Sequence, residues 1–170
     1  LEPYRPSPDA PPRAHVLDHR HRGRAALRGA GEPDRGRYDD RPTVDYPSGA
    51  ASLLRRAAIE DVGTFDEVFY LYFEDAEWGL RAGRAGWRTI YVPDARVVHV
   101  GSAGTAGDPA RRRYYNGRNR LRLADRYASR RGRLVAWAET LALLGRQPFR
   151  CLFPRRRRDA EAVCRGVADH

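Results

Sequence analysis

At 170 residues the chain is long enough for one domain with its own core, and an apolar fraction of 41% can supply that core. Its basic residues are all Arg, and the formal net charge is +10. No run of eighteen apolar residues occurs, which excludes a helical membrane span within these residues. The charge is unevenly spread. Residues 1–110 carry 15 Arg against 17 acids (−2), whereas residues 111–170 carry 17 Arg against 5 acids (+12). A polyanionic partner, an anionic leaflet or a nucleic acid, is therefore an expectation about the last sixty residues alone. Cys151 and Cys164 fit no zinc or CxxC spacing, so reduced cytosolic thiols are expected.

In chain order, residues 1–43 hold seven prolines and few large apolar residues, which predicts an irregular segment. Residues 44–110 carry the globular signals. Gly49–Arg55 reads as a small-residue strand leading into a short helix, Arg56–Asp61, closed by Gly63. Gly49 is either a point of close backbone approach or ordinary packing.

The densest stretch follows. Between Glu60 and Glu77 lie seven carboxylates, interleaved with Phe65, Phe69, Tyr70, Leu71, Tyr72 and Phe73. Acids among apolar rings are costly to bury unless paired, hydrogen-bonded or metal-bound. Such a setting suits a carboxylate tuned for proton abstraction, and equally the acidic N-terminus of a helix. A helix is predicted over 75–85, with Gly86 past its end, then short strands Trp87–Tyr91 and Arg96–Val100 around Val92-Pro93. Gly101–Gly107 reads as a mobile loop.

Residues 111–170 form an Arg-rich helical tail. A helix is predicted over Arg111–Arg130, and Leu134, Val135, Trp137, Ala138, Leu141 and Leu144 then recur at helical spacing between arginines. That stripe suits either a membrane surface or packing on the parent domain.

Several motifs occur in a specific order: Val44-Asp45-Tyr46-Pro47-Ser48-Gly49-Ala50-Ala51, then Gly63 to Arg81, then Gly86-Trp87 and a segment ending in His99, then Tyr114-Tyr115-Asn116-Gly117-Arg118-Asn119. Together they resemble the family 2 inverting glycosyltransferases, closest to the bacterial rhamnosyl- and galactofuranosyl-transferase type. That family carries "VDxxSGAA", "GxFDExFFxYxEDxDLxxRxxxxGW" and "YYxxRN" patterns. The resemblance covers roughly residues 24–130. It implies an α/β fold: the C-terminal part of a GT-A (Rossmann-like) domain followed by the basic helical tail.

The resemblance further implies transfer of a sugar from a nucleotide-sugar donor to a saccharide or lipid-linked saccharide, at the cytoplasmic face of the membrane. It places the general base at Asp75, the second acid of the "ED" pair. Glu74 and Glu77 flank that base, and their like charge would raise its proton affinity. Trp78 would be a sugar platform or a core residue, and Arg81 would pair with Glu77 or face the diphosphate. Gly49 would lie on the acceptor side. The family's Mg²⁺ or Mn²⁺ would take His99 as a ligand, together with an Asp-x-Asp that this sequence does not contain. The chain is therefore expected to be a fragment without the nucleotide-binding half. The alternative is a non-catalytic basic module that grips anionic membrane or nucleic acid through its tail.

Overall fold

The computed structural model describes residues 16–18, 26–28, 35–36, 39–40, 43–95, 97 and 107–170. These are mixed α/β with helix predominating, and they fall into two compact units. One is drawn from residues up to 65 and from 75–97, the other from 66–74 and 107–170.

In the first unit, β1 (Val16–Asp18) pairs antiparallel with β2 (Ala26–Arg28), Leu17 opposite Leu27. This corrects the expectation of irregular chain throughout 1–43. The prolines of that segment stop at Pro12 and resume at Pro33, so the stretch between keeps every backbone donor. β3 (Thr43–Val44) pairs antiparallel with β4 (Thr89–Ile90), which is shorter than the predicted Trp87–Tyr91. The strand expected at 49–55 does not form. Ser48 turns the chain instead, its carbonyl accepting from Ala51 N–H at 3.1 Å, and Leu53 faces solvent with nothing to bury it. The predicted strand 96–100 and loop 101–107 lie outside the described residues, apart from Val97 and Gly107.

Helix α1 (Arg56–Val62) ends at Gly63, whose φ of 81° is left-handed and whose N–H returns to Ile59 O at 2.8 Å. Helix α2 (Glu74–Arg84) ends in a Schellman closure. Gly86 (φ 95°) donates to Gly83 O at 3.2 Å, and Trp87 donates to Ala82 O at 3.0 Å. The core of this unit is Ala58, Trp78 and Ala82, with Leu54, Ile59, Val62 and Trp87 packed around it. Gly79 lets α2 press directly on the chain after β3. A Cβ there would stand 2.6 Å from Tyr46 Cα and 2.7 Å from Pro47 Cδ.

The second unit is helical: α3 (Pro109–Tyr127), α4 (Arg130–Leu144), α5 (Gln147–Cys151) and α6 (Pro154–Ala168). Pro109 starts α3 behind Asp108, whose carboxylate accepts from Arg111 N–H at 3.1 Å. Ser129 caps α4 through Gly132 N–H at 3.2 Å. α3 packs on α6, and both contribute to a buried set with Leu121, Leu123 and Ala124 on one and Ala160, Ala162 and Val163 on the other. Gly166 lies directly on the Tyr114 backbone, where an added Cβ would stand 3.1 Å from Tyr114 Cα. α4 turns Gly132, Ala136 and Thr140 inward, and its Leu134, Val135 and Leu141 are exposed.

Candidate active-site residues

In the second unit, residues 66–73 fold into a tight turn. Phe69 is its fully buried anchor. Its N–H donates to Asp66 O at 3.0 Å, and Val68 N–H donates to Asp66 Oδ1 at 3.0 Å, an Asx-type start. Leu71 N–H then reaches Phe69 O at 2.5 Å, closing a three-residue turn centred on Tyr70. Tyr70, Tyr72 and Phe73 have φ of 53°, 65° and 68°. Bulky residues rarely enter this left-handed region, and each such residue costs about 1–3 kcal/mol.

A clamp on α3 holds that turn. Asn119 is fully buried, and the two N–H groups of its Nδ2 are shared among Phe69 O (2.6 Å), Leu71 O (2.9 Å) and Tyr72 O (2.8 Å). Its Oδ1 accepts from Arg118 Nε at 2.9 Å, and Arg118 Nη2 donates to Val68 O at 2.6 Å. Arg126 adds an ion pair to Asp66 and places its guanidinium 5.2 Å from the Phe69 ring centroid. Burying three carbonyls without donors would be costly, so the adjacent Arg118-Asn119 pair is what permits the turn. Sequence reasoning reached these residues only as a helix motif. The available signal was an amide and a guanidinium next to each other on a helix otherwise rich in exposed Arg.

In the first unit, Asp75 is half-buried in the first turn of α2. Its Oδ2 accepts from Gly49 N–H at 2.7 Å, and its Oδ1 accepts from Ala76 N–H at 2.7 Å. A Cβ on Gly49 would meet Oδ2 at 3.1 Å, so Gly49 serves as the close approach that the sequence left open. Each carboxylate oxygen keeps a lone pair for a further proton.

The other predicted site residues are placed differently. Glu77 is buried and ion-paired to Arg81 at 3.0 Å, so its charge is balanced on its own helix rather than left to act on Asp75. The Arg81 guanidinium also donates to Val62 O and to Thr64 O (2.8 Å), tying off the end of α1 rather than facing a ligand. Trp78 is core, with its indole N–H on Gly63 O at 2.8 Å, and offers no exposed face to a sugar. Glu74 is half-buried. His99 lies outside the described residues. Among the described residues no three His, Cys, Asp or Glu side chains converge, so they do not by themselves make a divalent-cation site.

The description "Glycosyl transferase family group 2" matches residues 42–154. The chain belongs to that glycosyltransferase family. This glycosyltransferase chain is similar to the N-acetylglucosaminyl-diphospho-decaprenol L-rhamnosyltransferase of Mycobacterium tuberculosis, at 46% identity over 71 residues. Those residues make up 42% of the chain and 23% of the relative. It is also similar to the rhamnosyltransferase WbbL of Escherichia coli K12, at 36% identity over 62 residues, 36% of the chain and 23% of the relative. The O-antigen biosynthesis protein RfbC of Myxococcus xanthus shows 37% identity over 59 residues, 35% of the chain and 5% of the relative. The glycosyltransferase chain thus matches less than a quarter of each of these relatives. No solved structure matches it.

Proposed function

We propose that the chain is the acceptor-side part of a GT-A-type inverting glycosyltransferase, and that Asp75 is its general base. The observation that carries this reading is the Asp75 carboxylate, fixed by the Gly49 N–H at 2.7 Å at the start of α2 inside the family match. In the step proposed, Asp75 takes the proton of an acceptor hydroxyl as that oxygen bonds to the anomeric carbon of the donor sugar. The bond from that carbon to the diphosphate breaks, and the nucleoside diphosphate leaves with the electron pair, inverting the configuration. Mg²⁺ or Mn²⁺, with His99 among its ligands, would supply countercharge to the leaving diphosphate. The proton transfer needs only Asp75.

The names of two relatives point to rhamnosyl transfer, and that of the Mycobacterium relative to a lipid-linked N-acetylglucosamine diphosphate as acceptor. The test is transfer of labelled rhamnose from a nucleotide donor to a prenyl diphospho-N-acetylglucosamine by the full-length protein. A product of inverted anomeric configuration is expected. A retained configuration, or no dependence on this acceptor class, contradicts the reading.

Peripheral attachment at the cytoplasmic membrane face is part of the same proposal. Among the described residues no helix is long and apolar enough to cross a membrane. Leu134, Leu141, Phe149, Leu152 and Phe153 are nevertheless exposed, the two Phe rings in edge contact at 5.5 Å, and exposed arginines flank them. Exposed Leu and Phe among arginines favour an anionic lipid surface over a nucleic acid, which needs the charge but not the aliphatic surface. Co-sedimentation with vesicles containing anionic phospholipid is expected, and Phe149→Ser with Leu152→Ser should abolish most of it. Binding that survives these changes and follows charge alone points to a nucleic-acid partner.

A further inference from the structure

We infer that Tyr70, Tyr115 and Arg111 form a binding platform for a sugar diphosphate, and that Asn119 is its positioning residue. The inference rests on the transferase reading for the identity of the ligand, and on the second unit alone for the site. Tyr70 sits in a strained left-handed conformation, yet it stays 61% exposed. Strain that a buried clamp maintains and that ends in an exposed ring indicates that the ring is being presented. The Tyr115 ring lies 5.3 Å away at 42°, and Tyr114 meets Tyr115 edge-on at 4.9 Å, so the phenols form a supported array. Arg118 lies 4.9 Å from the Tyr115 centroid and fixes that ring from α3.

Arg111 is exposed and donates from Nη2 to Tyr70 Oη at 2.7 Å, with its guanidinium carbon 5.6 Å from the Tyr70 ring centroid. One of its five N–H donors is thus engaged, and the fork is oriented beside the aromatic face with donors remaining. A sugar ring stacked on a phenol, with its diphosphate on an adjacent guanidinium, matches this pairing of groups. A free sugar would leave Arg111 unused, and a free diphosphate would leave the rings unused.

The test is calorimetric binding of a short-chain prenyl diphospho-N-acetylglucosamine to the chain, with the same prenyl alcohol, N-acetylglucosamine and a nucleotide-linked rhamnose as comparison probes. Arg111→Gln should weaken the diphosphate probe about tenfold or more. Tyr70→Gly should weaken it about tenfold while leaving the fold as stable as before or more so, because glycine relieves the φ of 53°. A merely structural Tyr70 would show the reverse, with lower stability and unchanged affinity. A loss confined to the nucleotide-linked probe would assign the platform to donor rather than acceptor, within the same ligand class. Absence of binding by the unaltered chain, or affinity indifferent to both substitutions, overturns the platform. Transfer that persists normally in Tyr70→Gly and Arg111→Gln removes the platform and leaves the transferase reading intact.

Discussion

The stretch from Gly63 to Arg81 is one motif in sequence, but its two parts are held by different kinds of contact. The aromatic turn, 66–73, is held by side chains: an amide and guanidinium on α3 collect the carbonyls that a strained backbone turns inward. The acid-bearing helix, 75–81, has Trp78 and Arg81 on the end of α1 and, on its other side, close approaches that only glycine allows. Gly79 brings its backbone against Tyr46, and Gly49 brings an N–H to Asp75. Side-chain clamps can be weakened in steps. The Gly79 approach fails at the first added carbon.

Substitutions separate the two. Gly79→Ala should have the largest effect, about 3 kcal/mol of lost stability, because the new Cβ meets backbone and proline ring rather than a flexible side chain. Urea unfolding measures it, and a loss near zero would show that α2 does not bear on Tyr46. Asn119→Ala should cost about 2 kcal/mol by leaving buried carbonyls without a donor, with the near-ultraviolet signal of the aromatic turn changing alongside. If that signal is unchanged, Asn119 is not the clamp. Tyr114→Phe is the smallest, about 0.5 kcal/mol, because its hydroxyl bond to Asp169 is partly solvated. That hydrogen bond, and then burial, raise the Tyr114 hydroxyl above its usual 10.0. A raised value means the contribution is whole below about pH 10 and is lost as pH climbs through the folded-state value. The difference between the two proteins should therefore shrink in the alkaline range, and a constant difference would remove the hydroxyl from this role.

What was legible in the sequence follows from these contacts. Helix α2 and its Gly86 ending could be read because periodicity and a C-terminal glycine are local signals. The nearness of Gly49 to Asp75, 26 positions away, is not a local signal. Only the family resemblance suggested that both belong to one site. For Trp78 and Arg81 the motif left a structural and a ligand-facing role open, and the end of α1 supplies the carbonyls that take up their donors. The stripe from Leu134 to Leu144 had helical spacing, but the inward face of α4 is formed by Gly132, Ala136 and Thr140. Small residues there admit Arg120, which reaches Thr140 Oγ1 at 2.6 Å and Glu139 at 3.0 Å.

The most direct measurement is sugar transfer by the full-length protein carrying Asp75→Asn, with thermal unfolding of the same sample. Asparagine keeps an acceptor oxygen for Gly49 N–H, gives up acceptance from Ala76 N–H and takes no proton, so a fall of about 10²–10⁴-fold in transfer with only a small drop in the unfolding midpoint is predicted. Transfer near the unaltered rate would contradict the assignment of Asp75 as the base.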